Sequence, residues 1–338
     1  MNVLANAGDS MEKQKLVTLS LFINEERIPG KGEDSYLCIC GGSAAALIAS
    51  LDGCGGAGGH VYKKANFETG ARIAAYHVGK AIKEWFLTSK YGLGLEHKEA
   101  EHLAEELKAV IDCELARLNE LHNAEGSGIQ SRSIRGFPTT LAMVIPEVID
   151  VNTVRYLSFW AGDSRTYLFP TSGLIQTSTD DVRGGGDPFV VLERDSVLSN
   201  VISADVPYQI NLSETIVREP CMILSATDGC FSYLSSPMEF EWLLLDTLMA
   251  AKSPAEWERF LSQIFGEYAG DDYTLGIAVI GFRNWKAIKT AYEPRWKQVR
   301  NQYCDPLADI LKQGDRQAHY ALWEQYKQRY LLIRNKER

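Results

Sequence analysis

Leu47-Ile48-Ala49-Ser50-Leu51-Asp52-Gly53-Cys54-Gly55-Gly56-Ala57-Gly58-Gly59-His60 is an apolar run that stops at a carboxylate and then breaks into glycines. The run is short, with Gly41-Gly42 before it and glycines after it, which predicts a buried strand rather than a helix. Three readings fit the break. Gly53-x-Gly55-x-x-Gly58 satisfies the G-x-G-x-x-G spacing of a dinucleotide-binding turn, which would make the chain an oxidoreductase. In such a turn bare amides and a helix N-terminus face a pyrophosphate, and a carboxylate beside the first glycine repels it. In a metal-binding reading that same carboxylate is the ligand. In the third reading the glycines only make a loop.

The flanking sequence weighs on the choice. Ser35 to Cys40 and Ala45 to Leu51 are apolar runs separated by Gly41-Gly42-Ser43, a hairpin pattern. An antiparallel hairpin sets the start of its first strand beside the end of its second, so Glu33 and Asp34 arrive next to Asp52. The same arrangement recurs downstream. Trp160-Ala161-Gly162-Asp163-Ser164-Arg165 puts an acid just past a strand end, Cys221 to Ala226 stops at Thr227-Asp228-Gly229, and Asp271-Asp272 opens the strand Tyr273 to Phe282. Val17 to Asn24, Thr139 to Ile149, Val154 to Ala161, Thr166 to Phe169 and Leu174 to Thr177 are further strands. The last four form a meander, which argues for antiparallel sheet and against the alternating units of a dinucleotide fold.

Helical periodicity covers Asn66 to Leu87 and His97 to Leu121, then Phe240 to Ala250 and, behind the capping box Ser253-Pro254-Ala255-Glu256, a helix to Tyr268. The chain divides into a mobile N-terminus (1–14), a main domain (15–283) that contains a flap or irregular insert (178–220) around Gly184-Gly185-Gly186, and a helical extension (284–338). Two helices are expected in the extension, near Pro294 to Gln313 and Arg316 to Ile333. Their stripe of Leu322, Trp323, Tyr326, Tyr330 and Leu331 is a docking surface, either for the acidic body or for a partner helix.

With 338 residues, 45% apolar and 10% aromatic, the chain can bury a full core. A balance of 44 acids against 35 bases gives a net charge of −9, which argues against nucleic-acid and anionic-membrane partners. No apolar stretch reaches membrane-spanning length and the start lacks a signal layout, so a cytoplasmic location is expected. The seven cysteines include no C-x-x-C pair, which indicates neither a disulfide framework nor a zinc knuckle. Cys38 and Cys40 should share one strand face as small hydrophobes.

Glu33, Asp34, Asp52, Asp163, Asp228, Asp271 and Asp272 thus come from five separate places to one mouth of a sandwich. Gathered there they repel one another unless cations sit between them, and hard oxygen ligands without His or Cys point to Mn²⁺ or Mg²⁺.

At this point the chain resembles the metal-dependent protein phosphatases of the 2C type. The match is carried, in order, by Gly32-Glu33-Asp34, Asp52-Gly53-x-Gly55-Gly56, Thr139-Thr140-Leu141, Gly162-Asp163-Ser164-Arg165-x-Tyr167-Leu168, Thr179-Asp180-Asp181, Thr227-Asp228-Gly229 and Asp271-Asp272-Tyr273-Thr274, and it covers about residues 15 to 283. The resemblance implies an α+β fold, a four-layer αββα sandwich of two antiparallel sheets flanked by helix pairs, here with a C-terminal helical extension. It implies a cytoplasmic signalling enzyme that removes phosphate from phosphoserine and phosphothreonine in proteins, by attack of a water bridging two metal ions and without a phosphoenzyme. Asp52 would bridge the ions, Asp228 and Asp271 would hold the first, Glu33 and the Gly53 carbonyl would serve the second, and Asp163 with Asp228 would bind a third; Asp34 and Asp272 stand beside them.

Two positions depart from the family pattern. Cys54 stands where many relatives have a histidine as general acid, and Pro29 stands where an arginine usually receives the phosphate. Arg27, Lys31, Arg132 and Arg135 are the candidates to replace that arginine. The departures support an alternative, a catalytically weak module that binds a phosphoprotein or a partner.

Overall fold

The computed structural model describes residues 15–122, 136–150, 153–193 and 197–331. The segment 1–14, expected to be mobile, and the candidate phosphate ligands Arg132 and Arg135 lie outside them.

The chain opens with β1 (Val17–Glu25), β2 (Ser35–Ile39) and β3 (Leu47–Leu51). The glycines after β3 form a single short turn, α1 (Gly55–Gly58), followed by a small ribbon of β4 (Val61–Tyr62) and β5 (Glu68–Thr69). Two long helices come next, α2 (Gly70–Thr88) and α3 (Ala100–His122). The predicted start of α2 at Asn66 moves to Gly70, because the Thr69 side chain accepts from the Arg72 amide and caps the helix there. A meander of β6 (Leu141–Asp150), β7 (Thr153–Ala161), β8 (Arg165–Pro170) and β9 (Ile175–Gln176) leads to α4 (Pro188–Leu192), β10 (Asn211–Val217) and β11 (Cys221–Ala226). Then come α5 (Pro237–Ala250), α6 (Pro254–Tyr268) and β12 (Tyr273–Ile280), and finally α7 (Trp285–Val299), α8 (Asp305–Gln313) and α9 (Arg316–Tyr330).

The strands form two antiparallel sheets, β1-β12-β11-β8-β9 and β10-β7-β6-β3-β2. No parallel pair surrounds Gly53–Gly58, so the dinucleotide-binding turn is not built among the described residues. The four-layer sandwich expected from the sequence is present. Leu37, Leu47, Leu51, Met143 and Phe159 of one sheet pack under α2 and α3. Ile23, Leu224 and Ile277 of the other pack under α5 and α6, and Ile48, Val144, Ile223 and Ala278 fill the space between the sheets. All five residues of β3 are buried, because layers cover both of its faces. Toward the mouth the inter-sheet contacts change from methyl groups to hydroxyls, as in Ser50 to Ser225 (2.9 Å) and Thr140 to Ser164 (2.6 Å). Cys38 and Cys40 do share a face, 3.6 Å apart sulfur to sulfur, but Cys38 is exposed rather than packed.

Two readings are corrected. The stretch 178–220 is not irregular throughout. It contains α4, and its last part is β10, which pairs along its length with β7 from Asn211 opposite Trp160 to Val217 opposite Val154. The first helix of the extension begins nine residues earlier than expected, at Trp285 behind an Asn284 cap, with Pro294 inside α7 rather than at a helix start. A π-helical turn, Arg300–Cys304, joins α7 to α8.

The aromatic stripe of α9 docks on the chain's own body. Trp323, Tyr326 and Tyr330 are buried in the same core as Phe240 and Tyr167. At the joint, Glu241 of α5 is wholly enclosed. Arg295 donates to both of its oxygens at 2.7 Å, Tyr326 donates at 2.7 Å, and the Leu174 amide donates at 3.1 Å. A buried charge supplied with four donors is tolerated, whereas one stripped of its partner is costly. Arg295→Ala should therefore cost about 3–5 kcal/mol in urea unfolding, and Glu241→Gln with Arg295→Met should cost less than that single change; a single-variant loss under about 1 kcal/mol would contradict this account of the joint.

Candidate active site

The registers bring the acids together. Ser35 pairs with Leu51, so Glu33 and Asp34 precede β2 at the end where Asp52 follows β3. Leu141 pairs with Ala161, which puts Asp163 at that end as well. In the other sheet Ala226 pairs with Leu275 and with Arg165, placing Asp228, Asp271 and Asp272 at the matching end. A cleft of about 740 Å³ opens there. Glu33, Asp52, Asp163, Asp228, Asp271 and Asp272 line it, with the Gly53-Cys54 turn on one wall. Asp34 does not line it, nor do Arg27 and Lys31. Four residues that the sequence reading passed over do: Arg183, Val197, Leu198 and Val201. They belong to the stretch read as a flap, and nothing in its composition marks one arginine among glycines.

Hydrogen bonds to neighbouring groups fix the walls. Asp272 accepts from the amides of Arg27 and Glu33, both at 2.7 Å, and so ties the loop that carries Glu33 to the start of β12. The Glu33 carboxylate accepts from the Thr69 hydroxyl, and it lies so close over Gly55 that a Cβ there would collide with it. Asp34 accepts from the Thr227 hydroxyl at 2.8 Å, and that hydroxyl accepts from the Thr274 amide at 2.8 Å. Asp52 is held through its backbone: its carbonyl accepts from the Thr140 amide (2.8 Å) and the Thr139 hydroxyl (2.9 Å). Asp181 accepts from the Gly162 amide at 3.1 Å, next to Asp163. Behind the floor, Arg165 is fully buried, bound to Asp180 at 2.6 Å and stacked 4.0 Å over the Phe231 ring.

Burial pushes the Asp52 carboxyl well above the usual range, and the charges of Asp34, Asp228, Asp163 and Asp271 push it further. Asp163 is raised to about 8 by burial and then by Asp228, and Asp228 to about 6 by burial and then by Asp271. Burial also raises Asp34, to about 8, against the pull of Thr227 and Thr274. The Cys54 thiol goes up for the same two reasons, burial and then Asp52, and its sulfur lies 3.9 Å from the Asp52 carbonyl oxygen.

The donor set suits hard divalent cations, being anionic, all oxygen and short of countercharge. Among the described residues, however, no three His, Cys, Asp or Glu side chains already form a ready-made coordination group. The acids line the cleft without closing on one point. Among the same residues no helix is long and apolar enough to cross a membrane.

The raised carboxyls carry a sign for stability. They bind protons more tightly in the folded chain than in the unfolded one, where a carboxyl titrates near about 4. The folded state thus holds the extra protons between about pH 4 and the raised values of about 6 for Asp228 and about 8 for Asp163 and Asp34, and stability falls as pH rises through that window. In chelator, the melting temperature should be lower at pH 8 than at pH 5. Asp52→Asn should raise it by several degrees at pH 8 and much less at pH 5, and a decrease at pH 8 would show that the carboxylates do not strain the cleft.

By sequence, no family model and no curated protein matches the chain. By structure, it is similar to the serine/threonine phosphatase Stp1 from Staphylococcus aureus, with a TM-score of 0.55 at 18% identity over 80% of this chain and 98% of that one. It is similar to the Mycobacterium tuberculosis serine/threonine phosphatase PstP/Ppp, with a TM-score of 0.53 at 18% identity over 79% of this chain and 100% of that one. The catalytic domain of PstP in complex with two manganese ions matches with a TM-score of 0.52 at 18% identity, over 78% of this chain and 98% of that one. Two facing antiparallel sheets, their helix layers and these matches agree, and the chain has the fold of the 2C-type, metal-dependent serine/threonine phosphatases.

Proposed function

We propose that this chain is a cytoplasmic, Mn²⁺- or Mg²⁺-dependent serine/threonine protein phosphatase that acts in signalling. The observation that carries the reading is that Glu33, Asp52, Gly53, Asp163, Asp228 and Asp271, which come from separate parts of the sequence, line one cleft. The similarity to phosphatases, one of them solved with two manganese ions, supports it. In this proposal Asp52, Asp228 and Asp271 would hold one ion, Asp52, Glu33 and the Gly53 carbonyl would hold a second, and Asp163 with Asp228 would hold a third. When bound, such ions offset the carboxylate charge, hold phosphoryl oxygens and acidify water.

The chain's own groups do the rest. Asp272 holds Glu33 in place through the Glu33 amide, and Asp34 with Thr227 ties the Glu33 loop to the segment that carries Asp228. Cys54 is a poor general acid, because an efficient one has a pKa near the working pH and the thiol is pushed well above it. That same observation favours the second reading, a weakly active module that binds a phosphoprotein. The oxidoreductase reading falls with the antiparallel topology. The extension needs no partner helix in this proposal, since α9 is docked on the body.

Wild-type protein with Mn²⁺ should hydrolyse an aryl phosphate and a phosphothreonine peptide, and chelator should abolish both activities. Asp52→Ala should lower turnover by roughly 100-fold or more, as expected when a ligand of the charge-stabilising ions is lost, while Cys54→Ala should stay within about threefold of wild type because its thiol does not titrate in range. Bound Mn²⁺ without hydrolysis by the wild type would select the binding module instead.

A further inference from the structure

Among the described residues, fifteen line the cleft, and Arg183 is the one cation of these. It faces six acids across the opening, yet its guanidinium makes no hydrogen bond or ion pair with any described residue. Its side chain is exposed, but its backbone is fixed. The Arg183 amide donates to the Val197 carbonyl at 2.9 Å, and Val182 bridges to Leu198. On the preceding side, the Asp181 amide donates to the Gly162 carbonyl at 2.9 Å, and the Asp181 carboxylate accepts from Asn200 at 2.7 Å and Asn211 at 2.8 Å. Asp180, before it, is locked by the buried Arg165. Immediately after it, Gly184 and Gly185 take φ values of +96° and +105° and turn the chain away. Arg183 is therefore carried on a stiff ledge next to Asp163, with a long side chain free to reach across the mouth.

A planar guanidinium matches two oxygens of a phosphoryl group at once, and it gains most where no carboxylate of its own protein already occupies it. Val197, Leu198 and Val201 beside it offer an apolar shelf for the residue that bears the phosphate. We propose that Arg183 is the phosphoryl clamp of this cleft, gripping the substrate's phosphate from the lip while the acidic floor, through its cations, holds it from below. Neither Arg27 nor Lys31 lines the cleft to do so. The inference rests on the phosphatase reading for its substrate.

The test compares wild type, Arg183→Ala and Arg183→Lys on three substrates: an aryl phosphate, a phosphothreonine peptide flanked by alanines, and the same peptide flanked by glutamates. Arg183→Ala should raise KM by about tenfold or more on all three, as expected for a lost charge-assisted pair. Arg183→Lys should recover part of the loss, a point charge replacing a fork. The melting temperature and the calorimetric affinity for Mn²⁺ should not change, because the side chain has no described partner. An unchanged KM on all three substrates overturns the proposal, and so does a rise confined to the glutamate-flanked peptide, which would move the contact to a neighbouring carboxylate. Absence of turnover in the wild type defeats the phosphatase reading separately; inorganic phosphate binding to the manganese-loaded protein then decides the clamp, with weakening of about tenfold in Arg183→Ala supporting it and equal affinity overturning it.

Discussion

Carboxylates that repel one another line the mouth of the sandwich, and much of the surrounding hydrogen bonding serves to keep them there. Six acids open into one cleft, and burial, then the charge of neighbouring acids, raises the proton affinity of Glu33, Asp52, Asp163 and Asp228. No single element could hold them. Each sits just outside a strand end, where the backbone is free to turn, and each turn is tied to the next: Asp272 to the Glu33 loop, Asp34 to Thr227, Thr140 to both Asp52 and Ser164. The result is a preorganised ring of charge on a rigid frame, with the repulsion carried by the frame.

Arg165 shows how the fold limits that repulsion from behind. It lies inside the protein, paired with Asp180, and its charge pulls the Asp163 and Asp228 carboxyls down against the effect of burial. One buried cation cannot balance six acids at the mouth, so most of the compensation has to come from outside the chain. The inter-sheet layer follows the same gradient. Methyl groups fill it far from the mouth, and hydroxyl pairs such as Ser50 with Ser225 replace them close to it, so that the polar end of the sandwich meets the cleft without a dry boundary.

Much of this was legible in the sequence, because an Asp-Gly pair after an apolar run combines two independent signals, a strand end and a tight turn. Asp52 and Asp228 both have it. Gly229 also has a packing reason, since a Cβ there would collide with the Asp272 carbonyl. What was not legible has equally specific causes. β10 reads Asn-Leu-Ser-Glu-Thr-Ile-Val and is an edge strand, half-exposed along its length, so its pattern lacks the apolar run that marked β3 and β11. Pro294 looked like a helix start because proline is favoured there, whereas Asn284 supplies the actual cap. Arg183 carries no periodicity at all. Its importance comes from a bridge between Val182 and Leu198, a contact that local sequence does not encode.

The joint at Glu241 has a consequence for the order in which the molecule can be made. A carboxylate synthesised at position 241 ends in a dry interior whose donors, Arg295 and Tyr326, leave the ribosome much later. The edge strand β1 waits in the same way for β12, whose Tyr273 is the register partner of Glu25. A nascent chain that stops before β12 therefore leaves β1 unpaired, and one that has β12 but lacks its last helices still carries an unneutralised core charge, which is resolved only after the extension emerges. The C-terminal helices act as the closing piece of folding, and ribosome stalling before residue 326 would leave a species suited to chaperones rather than to chemistry.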